Sequence, residues 1–347
     1  MRIALVYFKD PLKSLDGMDT IRWLELSRAL AKLGYDVEMV TEEGEETEIA
    51  DRLRVRHIRK ALWDTYDIIK TTHHTDVFSV PEHPFLICRI GRVVDPIYPQ
   101  RVSSHRQDLL DAQELIARRA KRVVFMSEEN LIRWNELYPT GPAGLIVPNG
   151  CPSKIPPIGS NPYDGNRKRV LYLGSLTSSR FVNILNALGK LLKNNGVELH
   201  HVGRNQLDLY GETNEQLDSE VVSSHGPVPE LQSWNYLYYA DVGVMIARGI
   251  QVFDNEISKV YYYLRAGLPT VSEQFVSTNT LIKETGWGEV VSYGDITAMF
   301  NRVMQWLDTP QSKRLEIGKV IAMQHSWGSR AEIYHRLFQE YLSGKVI

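Results

Sequence analysis

Residues 3–7 read IALVY, an uninterrupted apolar run that predicts a buried strand. The next apolar side chains recur at helical spacing, at Trp23, Leu26, Leu30 and Leu33. Gly34 ends this helix, and a second apolar run follows from Val37 to Val40. The order strand, loop, helix, strand predicts the start of a parallel sheet in an α/β domain.

The pattern continues outward from this unit. Further short strands are predicted at Val55–Ile58, Ile68–Lys70, Phe85–Arg89, Val123–Met126 and Leu145–Val147. Prolines and glycines then cluster between residues 150 and 165, which is typical of a linker. After it the pattern restarts, with strands at Val170–Leu173, Val197–Val202, Asp241–Ile246 and Pro269–Ser272 and helices at Phe181–Leu192, Glu256–Ala266, Ile296–Leu307 and Arg330–Leu342.

The sequence therefore predicts two Rossmann-like α/β/α domains. We expect the first over residues 1–155 and the second over residues 168–326, with a carboxyl-terminal helix in 327–347 that packs back on the first. Loops and helix amino termini of such sheets meet at a crevice, where the partial positive charge of the helices suits a phosphorylated ligand.

Composition limits the classes of partner and compartment. The chain has 347 residues, and its net charge of −2 gives no reason to expect nucleic acid as a partner. Cys88 and Cys151 fall on opposite sides of the linker, which argues against a structural disulfide and fits a reducing cytoplasm. No signal peptide or membrane span is predicted.

Two clusters of basic residues leave open whether the protein binds a membrane surface. One comprises Arg52, Arg54, Arg56, Arg59 and Lys60, and the other Arg118, Arg119, Lys121 and Arg122. Solvated strand and helix faces account for them, and a surface that docks on anionic lipid at the inner face of the cell membrane is the alternative.

Six segments occur in an order that is typical of a known enzyme group. They are Val123-Val-Phe-Met-Ser, Ile146-Val-Pro-Asn-Gly, Val170-Leu-Tyr-Leu-Gly, Gly226-Pro-Val-Pro-Glu-Leu before Tyr239-Ala-Asp-Val, the stretch from Asn255 to Val271, and Ser326-Trp327. In this order they resemble the GT-B glycosyltransferases, and family 4 in particular. The resemblance covers almost the whole chain and is weakest between Glu42 and Ser104.

The resemblance implies a sugar transfer from a nucleotide-diphosphate sugar, of UDP or GDP type, to an acceptor hydroxyl. The donor would bind the second domain and the acceptor the first, with no cofactor and no metal ion. No Asp-x-Asp motif, which serves as a metal ligand in the other large glycosyltransferase fold, occurs in the chain. Basic side chains, backbone N–H groups and helix dipoles would then stabilise the leaving diphosphate.

The expected phosphate contacts depart partly from the family pattern. Relatives follow the first strand of the second domain with an arginine and then a lysine, and Ser175 and Arg180 occupy these positions here. Arg180 is expected to contact the diphosphate, and so is Lys259, near the amino end of the helix that starts close to Asn255.

The same helix carries a second departure. Family 4 enzymes often have two glutamates separated by seven residues, and Asp254 and Tyr262 stand at the matching positions. Asp254 is a predicted catalytic residue, while Asn255, Glu256 and Ser258 are expected to contact the donor. Helix capping is the alternative role of these polar residues. Retention of anomeric configuration follows from the resemblance, and inversion stays open because the second carboxylate is missing.

Three other places complete the predicted site. In relatives the Gly-Pro-Val-Pro turn packs on the nucleoside, which implies donor contacts from Val228 and Glu230. Gly17 stands where relatives keep a glycine-rich loop, although a plain turn before the helix also explains it. His73 and His74 follow a strand of the first domain and are predicted catalytic residues, as a base toward the acceptor or as sugar contacts.

The function predicted from sequence is thus a metal-independent glycosyltransferase, with an acceptor in polysaccharide or glycolipid assembly. Two alternatives remain: a nucleotide-sugar epimerase of the same fold, and an inactive glycosyltransferase-like binding subunit. An assay of donor turnover with and without acceptors separates all three.

Overall fold

The protein was analysed as a computed structural model, which describes residues 1–12, 17–95, 106–212, 215–249, 257–309 and 311–344. The chain divides into two compact units. The first unit comprises Met1–Gly150 with His325–Ile347, and the second comprises Cys151–Gln324. Each unit has its own sheet, and each is taken by itself below.

The described residues of the first unit form a largely parallel sheet. Its strands are β1 (Arg2–Val6), β2 (Asp36–Thr41), β3 (Thr47–Ala50), β4 (Leu53–His57), β5 (Ile68–Thr71), β6 (Leu86–Arg89), β7 (Arg122–Phe125) and β8 (Gly144–Ile146). Their spatial order is β3-β4-β2-β1-β5-β6-β7-β8, with β3 antiparallel to β4. The chain order reverses between β1 and β5, so the crevice at their carboxyl ends is where an α/β sheet binds ligands.

Helices cover both faces of this sheet. They are α1 (Met18–Lys32), α2 (Arg106–Arg119) and α3 (Glu128–Leu137), with the last helix of the chain, Trp327–Leu342, which is α10 in the numbering used below. Side chains alternate along β1: Ile3 and Leu5 pack with α1 and α10, while Ala4 and Val6 pack in the core that includes α2 and α3. Both faces of the strand are therefore buried, which explains its continuous apolar run.

The second unit repeats the architecture with a parallel sheet. Its strands are β9 (Arg169–Leu173), β10 (Glu198–Val202), β11 (Ser223–Ser224), β12 (Val242–Met245), β13 (Thr270–Glu273) and β14 (Gly288–Val291). Its helices are α4 (Ser179–Asn194), α5 (Glu230–Tyr239), α6 (Ser258–Arg265), α7 (Asn279–Thr285), α8 (Ile296–Leu307) and α9 (Arg314–His325). The order β11-β10-β9-β12-β13-β14 reverses between β9 and β12.

In the second unit the large side chain of Tyr263 packs against a glycine, Gly243. Val170 and Tyr172 of β9 pack with α4 and α8 on one face. Tyr263 of α6 lies over Gly243 of β12, where an added Cβ would approach the Tyr263 ring to 2.7 Å. The Tyr263 hydroxyl accepts a hydrogen bond from the Leu173 N–H at 2.7 Å, which ties α6 to the end of β9.

The predicted fold class, two Rossmann-like α/β/α units, is confirmed by this architecture. The helix predicted from Glu256 begins later, at Ser258, because the backbone of its N-cap residue Ile257 is extended. Residues 250–256 lie outside the described ranges. Helix α10 packs on the first unit, where Tyr35 meets Phe338 edge to face and Phe85 stacks on Tyr341. The strands β3, β11 and β14 and the helices α2, α5, α7 and α9 were not predicted.

Candidate functional site

Lys259 lies at the switch point of the second unit's sheet. It is the second residue of α6, whose amino end meets the carboxyl end of β9. The N-cap residue Ile257 gives no side-chain cap, so the first N–H groups of the helix lack that partner. A cation in the first turn opposes the helix dipole, and this local conflict is typical of a ligand site.

The side chain of Lys259 occupies a notch that a glycine leaves open. Gly174 has a φ of +128°, and a Cβ there would lie 2.3 Å from Cε of Lys259. The Nζ atom donates a hydrogen bond to the Tyr172 hydroxyl at 3.1 Å and lies 4.3 Å from the centre of that ring. Within the described ranges no carboxylate pairs with Lys259. Only glycine fits at position 174, because any larger side chain would clash with Lys259.

Burial lowers the pKa of Lys259 to about 7, and the neighbouring positive charge of Arg248 lowers it further. Arg248 is exposed and follows β12 at the other side of the switch point. Two cations thus flank the carboxyl ends of β9 and β12. An anion placed there would relieve their repulsion and restore the charged state of the lysine.

Gly203 and His201 pack against the backbone of Gly174. Gly203, directly after β10, has a φ of +156°, and a Cβ there would lie 2.2 Å from the Gly174 carbonyl oxygen. His201 hydrogen-bonds that oxygen through Nε2 at 3.0 Å. Burial lowers the pKa of His201 to about 4, so its ring is neutral at physiological pH. The backbone after β9 and β10 is consequently packed tightly, with no room for other residues in place of the glycines.

Arg180 is held by a buried partner. Its guanidinium donates to both carboxylate oxygens of Glu273, at 2.8 and 2.6 Å, and to the Ala247 carbonyl at 2.7 Å. The group also lies 3.9 Å from the centre of the Tyr293 ring. Arg180 is predicted to contact the diphosphate, and in this structure its guanidinium forms a bidentate ion pair that joins α4 to β13.

The other predicted donor contacts fall into three groups. Ser175 and Ser258 are half-buried, at the end of β9 and the start of α6. Val228 is half-buried before α5, and Glu230 opens α5 and accepts a hydrogen bond from the Trp234 indole at 3.1 Å. Asp254, Asn255 and Glu256 lie outside the described residues. Tyr262 packs against Trp234 in the core.

A polar network lies at the carboxyl edge of the first unit's sheet, and the sequence reasoning missed its centre. Asp19 of α1 pairs with Arg22 at 2.5 Å and with Arg89 of β6 at 3.0 Å. Burial would raise the pKa of Asp19, but the two guanidinium groups outweigh it and hold the pKa below its usual range. Both arginines are buried, while the Asp19 side chain is 35% exposed. This carboxylate is thus charged at neutral pH and partly exposed.

The two predicted histidines follow β5 and differ in accessibility. His74 is 4% exposed, and among the described residues neither ring nitrogen has a hydrogen-bond partner. Burial holds the pKa of His74 well below its usual range. His73 is half-buried and caps the 3₁₀ helix His74–Ser79, with Nδ1 2.7 Å from the Thr75 hydroxyl. His73 is therefore the more exposed of the two residues, whereas His74 is enclosed.

The buried lysine of β5 lies in the same part of the first unit. Lys70 is 1% exposed, donates to the Thr71 carbonyl and lies 5.3 Å from the centre of the Tyr334 ring. Burial and the charges of Arg89 and Arg22 lower its pKa to about 7.

Gly17 is the N-cap of α1 with a φ of −151°, a conformation open to any residue. The glycine is therefore not required by the backbone there.

The first basic cluster is partly paired with carboxylates. Arg54 and Arg56 pair with the buried Glu38 at 3.0 and 3.1 Å, and Lys60 pairs with Glu46 at 3.2 Å. In the second cluster Arg119 donates to backbone carbonyls of the first unit, which leaves its positive charge in place. None of the helices in the described ranges has the length and apolarity to cross a bilayer. Within those same ranges, no three His, Cys, Asp or Glu residues converge as metal ligands would.

Comparison with solved structures supports the fold. The chain is similar to sucrose-phosphate synthase from Thermosynechococcus elongatus, with a TM-score of 0.70 and 14% sequence identity. The match covers 99% of this chain and 100% of the synthase chain. WaaG, a glycosyltransferase involved in lipopolysaccharide biosynthesis, matches over 96% of this chain and 99% of its own, with a TM-score of 0.67 and 12% identity.

A third similar structure was solved with ligands. HepE from Anabaena, in complex with UDP and glucose, matches over 98% of this chain and 100% of its own, with a TM-score of 0.66 and 13% identity. The sequence matches no protein-family profile and no curated protein. The architecture is that of the GT-B glycosyltransferases, and identities this low establish the fold alone.

Proposed function

We propose that this protein transfers a sugar from a nucleotide-diphosphate sugar of UDP or GDP type to an acceptor hydroxyl, without a metal ion. The observation that carries the proposal is Lys259. It lies in the first turn of α6, in a notch made by Gly174, and no carboxylate of the described residues pairs with it. A bound diphosphate supplies the anion that this arrangement lacks.

The chemistry follows from the charge that develops on the leaving group. As the bond between sugar and phosphate breaks, negative charge accumulates on the diphosphate. Lys259, Arg248 and the N–H groups of α6 offer positive charge there in a preorganised arrangement. Stabilisation that grows toward the transition state raises the rate rather than the affinity alone.

The similar structures support the same ligand class. HepE was solved with UDP and glucose and also with UDP-glucose. WaaG is described as acting in lipopolysaccharide biosynthesis. This likeness supports our proposal that the acceptor belongs to polysaccharide or glycolipid assembly. Contact with the inner face of the cell membrane has less support, because Arg54 and Arg56 already pair with Glu38.

Retention of anomeric configuration is the outcome we propose, by resemblance to family 4. In an inverting reaction a base of the first unit would activate the acceptor hydroxyl, and His73 is a candidate for it. His73 is half-buried, while the ring of His74 is buried. Nuclear magnetic resonance of the first-formed product's anomeric proton distinguishes the two outcomes.

Binding of a nucleoside diphosphate tests the proposal. UDP and GDP should raise the melting temperature with EDTA present, since a ligand of the native state stabilises it. Lys259→Ala should weaken that binding by about 1.5–3 kcal/mol, the range for a hydrogen bond to a charged group. The matched control is Lys283→Ala, which removes an exposed lysine from α7 of the same unit.

Two results would contradict the proposal. Stabilisation by either nucleotide that requires magnesium or manganese would show that the protein needs a metal. Equal nucleotide binding and donor turnover by wild type and Lys259→Ala would show that the phosphate site lies elsewhere.

A further inference from the structure

Two histidines of the second unit form a hydrogen-bonded pair that the proposed transfer does not use. His200 lies on β10 and His225 directly follows β11, and Nδ1 of His200 is 3.0 Å from Nε2 of His225. On its other side, Nε2 of His200 is 3.3 Å from Oε2 of Glu198, on the same strand. His200 is 5% exposed and His225 is half-buried. The three side chains therefore form a hydrogen-bonded chain that ends directly after β11.

The chemistry of these three groups determines where the protons lie. An ionised Glu198 carboxylate only accepts hydrogen bonds, so Nε2 of His200 carries a proton. In a neutral His200 ring Nδ1 then has no proton, and it accepts a hydrogen bond from Nε2–H of His225. A proton added to Nδ1 of His200 would place two N–H donors against each other across 3.0 Å. Protonation of His200 is therefore incompatible with the hydrogen bond between the rings.

Aromatic side chains enclose the pair. The ring centre of Tyr163 lies 4.5 Å from that of His200, and its hydroxyl donates to the Tyr236 carbonyl of α5 at 2.9 Å. The ring centre of Tyr236 lies 4.9 Å from that of His225. Tyr163 is 5% exposed, in the segment that precedes β9. This enclosure excludes the water that would hydrate a charged imidazole, so both rings favour the neutral state.

The charges around the pair act in both directions. Burial holds the pKa of His200 and of His225 below the usual range. At His200 the charges of His225 and Arg169 lower the pKa further, while Glu198 opposes them. At His225 the carboxylate of Asp164 opposes the effect of burial. The charged and titratable neighbours of the pair are Tyr163 and Asp164 before β9, Arg169 on β9, Glu198 on β10 and Tyr236 on α5.

The pair is joined directly to a turn of the proposed donor site. Residues 226–229 follow His225 and lead into α5, whose N-cap is Pro229. The N–H of His225 donates to the His201 carbonyl, and the Gly226 carbonyl accepts from the N–H of Gly203, both at 2.9 Å. By the family resemblance this turn packs on the nucleoside of the donor. A movement of the His225 ring would reach the turn at once, because one peptide bond joins them.

We infer that His200 and His225 form a proton-sensitive latch on the turn at residues 226–229. While both rings are neutral, the hydrogen bond between them holds the turn, and a second proton on the His200 ring breaks that bond and releases the turn. The inference rests on the proposed function, since it adds a control by pH to the binding of the donor's nucleoside. His200 is a positioning residue in this scheme, because it acts on the nucleoside through His225.

Native-state amide exchange measures the latch without a ligand. Its probes are the backbone amides of Gly203 and His225, whose hydrogen bonds hold the turn. Because opening takes up a proton, their protection factors should fall by up to about tenfold per pH unit between pH 6.5 and pH 4.5. The amide of Tyr7, which donates to the Val40 carbonyl in the first unit, should keep its protection.

Two variants change the titration of the pair in different ways. His200→Gln keeps one donor and one acceptor but does not titrate, so the protection factors should be the same at both pH values. Glu198→Gln removes the charge that favours a protonated His200, so the loss of protection should move to lower pH. The matched control is Glu220→Gln, which neutralises an exposed carboxylate of the same unit and should behave like wild type.

UDP binding at pH 7 tests the link to the donor site. His200→Leu makes no hydrogen bond, so it should bind UDP about tenfold more weakly than His200→Gln does. Both variants lack the histidine, so the difference between them reports the hydrogen bonds alone. If His200→Leu fails to fold, amide exchange in Glu198→Gln and His200→Gln still decides whether the latch exists.

Three results would overturn the inference: equal protection at both pH values in the wild type, a loss of protection that Tyr7 shares, or the same pH dependence in His200→Gln as in wild type. Equal UDP binding by His200→Gln and His200→Leu would refute the link to the nucleoside. If neither UDP nor GDP binds the wild type, the proposed function fails, while the protection factors still confirm or refute the latch.

Discussion

The Nζ atom of Lys259 donates a hydrogen bond to the Tyr172 hydroxyl at 3.1 Å, and the same ring lies 4.3 Å below it. Tyr172 is fully buried in β9, so it fixes the lysine in the notch beside Gly174. The ammonium group has three N–H donors, so Lys259 can keep this hydrogen bond and donate others to a diphosphate. The tyrosine therefore positions the lysine, and the lysine sets the pH dependence of nucleotide binding.

Tyr172→Phe should separate the two partners of this hydrogen bond. Loss of the hydroxyl should lower the free energy of unfolding by about 0.5–1.5 kcal/mol without ligand. UDP or GDP affinity should fall by less than it does in Lys259→Ala, since the lysine keeps its charge and loses only the hydroxyl that positions it. Calorimetric titration measures it, with the exposed Tyr238→Phe as control. A loss of affinity as large as that of Lys259→Ala would mean that the tyrosine itself contacts the nucleotide.

Nucleotide binding should take up a proton above neutral pH. The pKa of Lys259 is lowered to about 7 by burial, so at pH 8 most of the ligand-free protein holds a neutral lysine. A bound diphosphate favours the charged form and raises this pKa, so affinity should fall as the pH rises above 7. Titrations in buffers of different ionisation enthalpy measure the uptake. Lys259→Arg cannot lose its proton, and uptake of the same size in that variant would refute the assignment.

The fold could be predicted from sequence because buried parallel strands have continuous apolar runs. Residues 3–7 and 170–173 are such runs, and both became central strands. Strands β11 and β14 lie at the edges of their sheet, where short or half-exposed strands give no such pattern. Helix α9 was missed because its apolar residues do not follow one face, and Leu315 and Met323 are exposed.

The sequence offers a site candidate where the family resemblance and a local conflict coincide. Lys259 is such a candidate, because the resemblance implies a phosphate contact there and a lysine in the first turn of a helix is unfavourable. Lys70 inside an apolar strand and Arg22 beside Trp23 on α1 gave the same signal and were overlooked. The ion pair of Arg180 could not be foreseen, because its partner Glu273 is 93 positions away in the chain.

Lys70→Met should stabilise the protein near and below neutral pH. The pKa of Lys70 is lowered to about 7 in the folded state, so the unfolded chain binds more protons between about pH 7 and 10.5. The lysine's contribution therefore rises with pH across that window and is least favourable below it. Methionine fills similar space without the charge, and we expect a gain of about 1–3 kcal/mol at pH 6.

Denaturant titrations at pH 6 and pH 10 measure the effect of Lys70→Met. The gain should shrink at pH 10, where wild-type Lys70 is neutral in the folded state. A gain that is the same at both pH values would show that packing, rather than charge, is responsible.

Variants of Arg180 and Glu273, made singly and together, show whether Arg180 stabilises the fold or contacts the nucleotide. The Glu273 side chain is 2% exposed and also accepts the N–H groups of Ala247 and Gly294, each at 2.8 Å. Arg180→Ala leaves this buried carboxylate without its cation and should cost about 3–5 kcal/mol of unfolding free energy. Arg180→Lys keeps the charge but loses the bidentate geometry and the stacking on Tyr293, so it should cost less.

The double variant Arg180→Ala with Glu273→Gln decides between the two roles. Neutralising Glu273 removes the uncompensated charge, so the double variant should regain much of the stability that Arg180→Ala loses. If Arg180 only positions α4 against β13, the folded double variant binds UDP or GDP as wild type does. If Arg180 contacts the diphosphate, binding stays weaker by about 1.5–3 kcal/mol although stability has returned. The guanidinium of Arg180 already donates to Glu273 and to the Ala247 carbonyl. We therefore expect the folded double variant to bind UDP or GDP as wild type does.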